Sequence, residues 1–257
     1  MFLFDKKVVV ITGGSNGIGR ATAVAFARAG ATVVVADIQE PAGEQTVKLV
    51  KDAGGDGMFV RTDVSRKADV VALMDTAAER YGRIDCAFNN AGIERNIGII
   101  DGTEEDFDNH IGTNTKGVFF CLKHEIRHMR NTGGGVIVNN TSVTGIVSAD
   151  VNQLYGMSKR AATYLTWSAA RSAGKLGIRV NEIAPALLMT DMVRGYFEGP
   201  NAVPLESVIA RLALDHVGKP EDAAWAVLFL CSEKASFITG ATLPIDGGFL
   251  LYNAGSY

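Results

Sequence analysis

Short, nearly unbroken apolar runs rich in β-branched residues recur along this 257-residue chain, separated by stretches of helical periodicity. The runs are Val8 to Ile11, Thr32 to Ala36, Met58 to Val60, Ile84 to Phe88, Val136 to Val138, Ile178 to Ile183 and Thr242 to Ile245. A half-exposed strand alternates apolar and polar side chains, whereas a strand covered on both faces does not. The runs therefore predict a parallel sheet buried on both sides. The helical stretches that would cover it are Gly17 to Ala29, Pro41 to Ala53, Lys67 to Tyr81, Glu104 to Arg130, Asn152 to Leu176 and Glu221 to Ser232. Strand alternating with helix is the pattern of a doubly wound α/β fold, here a seven-stranded parallel sheet in one domain spanning residues 1–257. An apolar content of 47% is ample for its core, and no second block of elements remains to build another domain.

Punctuation fits this frame. Gly30 stands where a left-handed cap would close the first helix, and Pro41 stands at a helix start. The exception is residues 189–216, where Gly195, Gly199, Pro200 and Pro204 interrupt apolar residues without a clear period. Long irregular segments in α/β domains often cover ligands, so this one is expected to be a mobile substrate flap.

The first strand leads into Thr12-Gly13-Gly14-Ser15-Asn16-Gly17-Ile18-Gly19, and a helix follows at once. Glycines there let a pyrophosphate approach the backbone, while the helix N-terminus offers free N–H groups and a partial positive charge. The spacing, Gly-x3-Gly-x-Gly, is not the commoner Gly-x-Gly-x-x-Gly, and a tight strand-to-helix turn is the plain alternative. Asp37 ends the second run eighteen residues after Gly19, where a carboxylate can accept hydrogen bonds from the two adenosine ribose hydroxyls. It would repel a 2′-phosphate, and neither Ile38 beside it nor Asn16 in the loop is basic. The expected cofactor is NAD rather than NADP.

Tyr155 and Lys159 are four residues apart in a helical stretch and so share a face. A phenol with a pKa of about 10 is only about a thousandth ionised at pH 7. A cation about 4 Å away is worth up to roughly 4 kcal/mol at an effective dielectric near 20, about three pKa units. That brings Tyr155 within reach of general acid/base work. Ser142 closes the fifth strand thirteen residues earlier, at the carboxyl edge of the sheet where ligands bind in doubly wound folds. Asn89-Asn90-Ala91-Gly92 follows the fourth strand at the same edge.

With these residues in place, nearly the whole chain resembles the short-chain dehydrogenase/reductase family in its single-domain form of about 250 residues. The resemblance implies a Rossmann-type sheet and a cofactor loop made by Gly13, Gly17 and Gly19, with Ser15, Asn16 and Ile18 between them. It implies that Asp37 and Ile38 hold the adenosine ribose, that Asp63 and Val64 flank the adenine, and that Asn90, Ala91 and Gly92 line the cleft. Pro185, Leu188 and Thr190 fall at the nicotinamide end, and Asn114, Ser142, Tyr155 and Lys159 align with the catalytic tetrad. Asn114 lies in a weak helix stretch with Gly112, Thr113, Thr115 and Gly117, where a local kink would let it hold a water in a proton relay. Residues 218–222 and 245–248 match C-terminal signatures of the family. Pro185-Ala186 departs from its usual Pro-Gly.

The implied activity is NAD-dependent oxidation of a secondary alcohol or reduction of a ketone, with Tyr155 as general acid/base, in a homotetramer. Substrate contacts are expected from Ser142, Val143, Gln153, Tyr155, Leu187 and Met192, with Glu94, Arg95 and Asn96 nearby. A sugar, a hydroxy acid, a steroid or a simple alcohol would each suit such a set. A 3-oxoacyl-acyl-carrier-protein reductase is the alternative within the family, disfavoured by Asp37 because that reduction usually draws on NADPH. A non-catalytic dinucleotide-binding protein on the same fold is the alternative outside it.

His124-Glu125-Ile126-Arg127-His128 also satisfies the zinc-peptidase pattern His-Glu-x-x-His. Asn131 and Gly134 stand where glycine and a third ligand would extend it, so the expectation is a solvated or subunit-contacting helix face and no metal. A net charge of −3 points to neither nucleic acid nor an anionic membrane as partner. No apolar stretch approaches the roughly 20 residues of a membrane span, and the N-terminus inverts a secretory signal's order of charge before apolar run. Three scattered cysteines, Cys86, Cys121 and Cys231, suit reduced thiols, and the expected location is the cytoplasm.

Overall fold

The computed structural model describes residues 3–148, 152–195, 197–198 and 202–253. Seven strands, β1 (Val8–Thr12), β2 (Thr32–Asp37), β3 (Asp56–Arg61), β4 (Cys86–Asn89), β5 (Gly135–Asn140), β6 (Ile178–Pro185) and β7 (Thr242–Ile245), form one sheet in the order β3-β2-β1-β4-β5-β6-β7. Every pairing is parallel. The doubly wound, seven-stranded expectation therefore holds.

Both faces are covered. Alternate β1 residues divide between two cores: Val9 and Ile11 pack under α1 (Gly17–Arg28), Val8 and Val10 under α3 (Lys67–Tyr81). All four side chains are buried, which is why the run reads as continuous rather than alternating. Burying each such side chain contributes about 1.5–3 kcal/mol. The remaining helices are α2 (Glu40–Asp52), α4 (Glu104–His110), α5 (Val118–Met129), α6 (Gln153–Ala173), α7 (Asp191–Arg194), α8 (Leu205–Ile209), α9 (Pro220–Cys231) and α10 (Phe249–Asn253). α9 joins α1 on one face, and α5 and α6 join α3 on the other.

Boundaries moved where polar residues take part in the ladder. β3 runs to Arg61 because its end pairs with Asp37, and β4 ends on Asn89 opposite Thr12. The expected helix from Glu104 to Arg130 is two helices joined by a π-helical turn, Ile111–Gly117. Residues 189–216 hold the short helices α7 and α8.

Strand order reverses between β1 and β4. The chain winds outward through β2 and β3, returns to β4 beside β1, and continues the other way. Loops leaving β1 and β4 at their carboxyl ends diverge there, and a crevice opens between them.

Candidate active site

The crevice is a cavity of about 1170 Å³, above the roughly 300–1,000 Å³ common for a single small ligand. Gly13, Asn16, Gly17 and Ile18 line it after β1, Asp37 and Ile38 after β2, Asp63 and Val64 after β3, and Asn90, Ala91 and Gly92 after β4. Ser142, Tyr155, Lys159, Pro185, Leu188 and Thr190 line its other end, with Val143 and Leu187.

The glycine loop is built for close approach. Gly13 has a φ of +63°, and a Cβ on it would lie 2.8 Å from Ala91 Cα, so the loop and the β4 turn touch backbone to backbone. Gly19 faces inward instead: a Cβ there would strike the Gly13 carbonyl. Gly19 and the buried Ser15 thus shape the loop from beneath without lining the cavity. Ser15 N–H donates to Asp37 Oδ2 at 3.2 Å, which ties the loop to the end of β2. Asn16, at the start of α1, makes no side-chain cap, so the first turn of the helix keeps unpaired amides beside the cavity.

A polar chain joins this loop to the end of the cavity lined by Ser142, Tyr155 and Lys159. Thr12 Oγ1 accepts from Asn90 N–H at 3.1 Å and Ala91 N–H at 3.2 Å, and Asn90 Nδ2 donates to the Gly13 carbonyl at 2.9 Å. Asn140 Nδ2 donates to Asn90 Oδ1 at 2.9 Å, and the Asn140 carbonyl accepts from Lys159 Nζ at 2.8 Å. Asn140 carries no sequence signal, because its contact with the lysine runs through the main chain.

Lys159 is buried, and its ammonium lies 5.5 Å from the centre of the Tyr155 ring. Burial pulls its pKa down from the ordinary lysine value to about 8, with Glu94 and Glu182 opposing that shift. It remains mainly cationic at neutral pH. Ser142 Oγ accepts from Thr144 N–H at 3.2 Å and from the Thr144 hydroxyl at 3.0 Å, and among the described residues its own proton has only the Pro185 carbonyl at 3.5 Å. With its lone pairs engaged, the serine is set up to donate to a ligand. Thr144, which also lines the cavity, went unrecognised in the sequence because nothing in its spacing sets it apart.

Asn114 sits inside the π-helical turn, fully buried and behind the cavity wall. Its Nδ2 donates to the Ile93 carbonyl and to Ser158 Oγ, both at 2.9 Å, and its Oδ1 accepts from Ile93 N–H at 2.9 Å. The helix is irregular where the sequence is weak, but the side chain clamps the irregular segment that follows Gly92. Gln153 does not line the cavity; its Oε1 accepts from Ile99 N–H at 2.8 Å and anchors the loop after β4. The Met192 side chain lies outside the described residues.

The His-Glu-x-x-His stretch is not a solvated face. Burial at the sheet overrides that expectation: Glu125 is 0% exposed and His124 6% exposed. Glu125 Oε2 accepts from Asn89 Nδ2 at 3.0 Å, while His128 Nε2 lies 3.1 Å from Asp75 Oδ1. Among the described residues, no group of three or more His, Cys, Asp or Glu is placed to hold a metal ion. Among them, too, no helix is long and apolar enough to cross a membrane.

The residues present fit a dinucleotide. Bare glycine backbone and an uncapped helix N-terminus suit a pyrophosphate, and a carboxylate at the end of the neighbouring strand suits a ribose diol. Fold and crevice thus define a Rossmann-type α/β protein with a hydroxyl, phenol and ammonium set at the carboxyl edge of its sheet.

Known proteins agree. A family model described as Enoyl-(Acyl carrier protein) reductase matches residues 13–250. The chain is 37% identical over 245 residues to a meso-2,3-butanediol dehydrogenase from Serratia marcescens, covering 95% of both chains. It is 36% identical over 252 residues to the 3-oxoacyl-[acyl-carrier-protein] reductase FabG of Thermotoga maritima, covering 96% of this chain and 99% of that protein. The solved structure of a 7α-hydroxysteroid dehydrogenase complexed with NADH and 7-oxo glycochenodeoxycholic acid superposes with a TM-score of 0.90 at 34% identity, covering 96% of this chain and 95% of that one. The chain belongs to the short-chain dehydrogenase/reductase family of oxidoreductases.

Proposed function

We propose that this protein is an NAD-dependent oxidoreductase that interconverts a secondary alcohol and its ketone, with Tyr155 as general acid/base. The observation that carries the reading is the convergence of Ser142, Tyr155 and Lys159 in the cavity that the glycine loop and Asp37 also line. When bound, the nicotinamide supplies the hydride acceptor or donor. Everything else falls to the chain. Ser142 donates a hydrogen bond to the substrate oxygen and steadies negative charge on it. Tyr155 takes the hydroxyl proton during oxidation and returns it during reduction. Lys159, whose ammonium lies 5.5 Å from the centre of the Tyr155 ring, favours the phenolate electrostatically. Asn114 keeps the wall behind Lys159 in register and, in this reading, holds a relay water at its kink.

Asp37 supports NAD over NADP. The acyl-carrier-protein reductase is the second reading, favoured by FabG's similarity along the chain. Residues 189–216 act as the substrate flap, since Val193, Phe197, Val203 and Val208 line the cavity from it. Exposed Phe119 on α5 with Tyr164 and Trp167 on α6 supports a homotetramer built through those helices, and three buried free thiols support a reducing compartment such as the cytoplasm.

A panel of secondary alcohols, polyols and hydroxy acids, followed by NADH absorbance, tests the reading. Tyr155→Phe should lose turnover at least a thousandfold while binding NAD within a few-fold of the parent. Undiminished turnover in that variant rejects the acid/base role.

A further inference from the structure

We propose that Arg211 is a specificity-determining residue of this cavity. It binds a carboxylate that the substrate carries on an apolar body, away from the reacting secondary alcohol. The inference rests on the alcohol/ketone reading above and names the substrate class for it: a hydroxy acid and the matching oxo acid.

Placement follows from the order of the sheet. Asp37 and Asp63 line the cavity after β2 and β3, toward one edge. Arg211 and Phe249 line it too, and they arrive from the other edge. There β7 pairs with β6, with Ile245 opposite Pro185, and the chain runs on into Gly247. The Gly247 carbonyl accepts from Ala213 N–H at 2.8 Å and Leu214 N–H at 3.0 Å, which ties the segment after α8 to the turn after β7. Arg211 thus stands on the side of Ser142 and Pro185, across the cavity from the carboxylate proposed to hold the adenosine ribose.

The guanidinium is also held. Its Cζ lies 5.9 Å from the centre of the Phe249 ring, within cation–π range. Phe249 opens α10, whose first turn is fixed by Asp246: Oδ1 accepts from Gly248 N–H and Oδ2 from Leu250 N–H, both at 3.0 Å. Arg211 N–H donates to the Val208 carbonyl at 3.0 Å, so one turn sets Val208 and Arg211 on a shared face, and both line the cavity.

Charge decides the chemistry. Among the described residues, Lys159, Arg95 and Arg211 are the cations that line the cavity. Lys159 Nζ donates to the Asn140 carbonyl at 2.8 Å, and Arg95 Nη1 pairs with Asp106 Oδ1 at 3.1 Å. Arg211 makes no ion pair among the described residues. Asp246 is engaged by the amides of α10, and Asp215 Oδ1 lies 3.1 Å from His216 Nδ1. A guanidinium stacked on a ring keeps its in-plane N–H groups for a ligand, and a carboxylate accepts two of them in parallel. Val143, Val147, Leu187 and Phe197 line the same cavity and suit an apolar body. On the β4 side, Glu94 accepts from Asn152 Nδ2 and repels a substrate carboxylate, so Arg211 sets the direction of binding as well as its strength.

The test compares kcat/KM with NAD for 3-hydroxybutyrate, 5-hydroxyhexanoate and 7-hydroxyoctanoate, each against its own methyl ester. All carry the same methyl carbinol and differ in the reach from it to the carboxylate. At one chain length or more, the parent should prefer acid to ester by about tenfold or more. That ratio should fall by about tenfold in Arg211→Met, and Arg211→Lys, which keeps the charge but not the planar fork, should retain part of it. Ratios within one variant cancel any common effect on folding or on Tyr155 and Lys159. An acid-to-ester ratio of one or less in the parent at all three lengths, or a ratio unmoved in Arg211→Met, overturns the inference, while oxidation of the esters leaves the oxidoreductase reading standing. No turnover of any acid or ester also overturns the inference, and the oxidoreductase reading then stands or falls on the wider panel of secondary alcohols.

Discussion

A single carboxylate, Asp37, joins two jobs that its sequence position does not separate. Its Oδ2 accepts from Ser15 N–H at 3.2 Å and its Oδ1 from Gln39 N–H at 3.0 Å, so it shapes the glycine loop as well as lining the cavity at the end proposed for the ribose. Asp37→Ala would remove both roles at once. Asp37→Asn keeps an acceptor for one amide and removes the charge, so it disturbs the loop less than alanine does while removing the repulsion of a 2′-phosphate. Hydrogen bonds to charged groups contribute about 1.5–3 kcal/mol, so kcat/KM for NAD should fall about 10- to 100-fold. NADP, no longer repelled, should lose less or gain. Paired steady-state measurements with the two cofactors check this, and an unchanged NAD/NADP ratio refutes the ribose assignment.

At the scale of elements, what was legible in the sequence depended on whether a contact follows from periodicity. Strands buried on both faces announce themselves, and β1, β2 and β7 lie close to where the apolar runs place them. The glycine loop, Asp37, Ser142, Tyr155 and Lys159 were readable because each sits at a fixed offset from such a strand or along one helix face. Asn140 and Thr144 were not, since one acts through a carbonyl and the other bonds a residue two positions away. Gln153 is expected among substrate contacts from its residue type alone, and the fold places its Oε1 on Ile99 N–H. The π-helical turn lies between these cases: Gly112 and Gly117 with β-branched Thr113 and Thr115 mark a poor α-helix, but not the contact it makes. Asn114→Ala should leave the Ile93 N–H and carbonyl unpartnered, a cost of about 1–3 kcal/mol. Thermal unfolding should show a drop of several degrees, and Asn114→Asp, which restores only the acceptor, should recover part of it. A melting temperature unmoved in Asn114→Ala would show that the clamp contributes nothing to stability.

Across the whole molecule, the sheet carries a buried polar seam that the reaction does not use. Asn89 Nδ2 donates to Glu125 Oε2 at 3.0 Å and to Asn139 Oδ1 at 2.9 Å, and Asn139 Nδ2 donates to Thr166 Oγ1 at 2.8 Å. The seam links α5, β4, β5 and α6, so its state bears on global stability rather than on one loop. Burial raises the Glu125 pKa from the ordinary glutamate value to about 8, against a smaller opposing effect of the Asn89 hydrogen bond. The folded protein therefore keeps a proton that the unfolded chain gives up above its ordinary carboxylate pKa of about 4.3. Stability from this group is fully present below that value and is lost as pH rises through about 8, at up to about 1.4 kcal/mol per pH unit in between. Glu125→Gln holds the same shape without a titrating proton. Denaturant unfolding from pH 5 to 8.5 should show the parent losing a few kcal/mol more than the variant, with the two curves diverging steadily and levelling off above pH 8. Parallel curves would mean that Glu125 is ionised in the folded state.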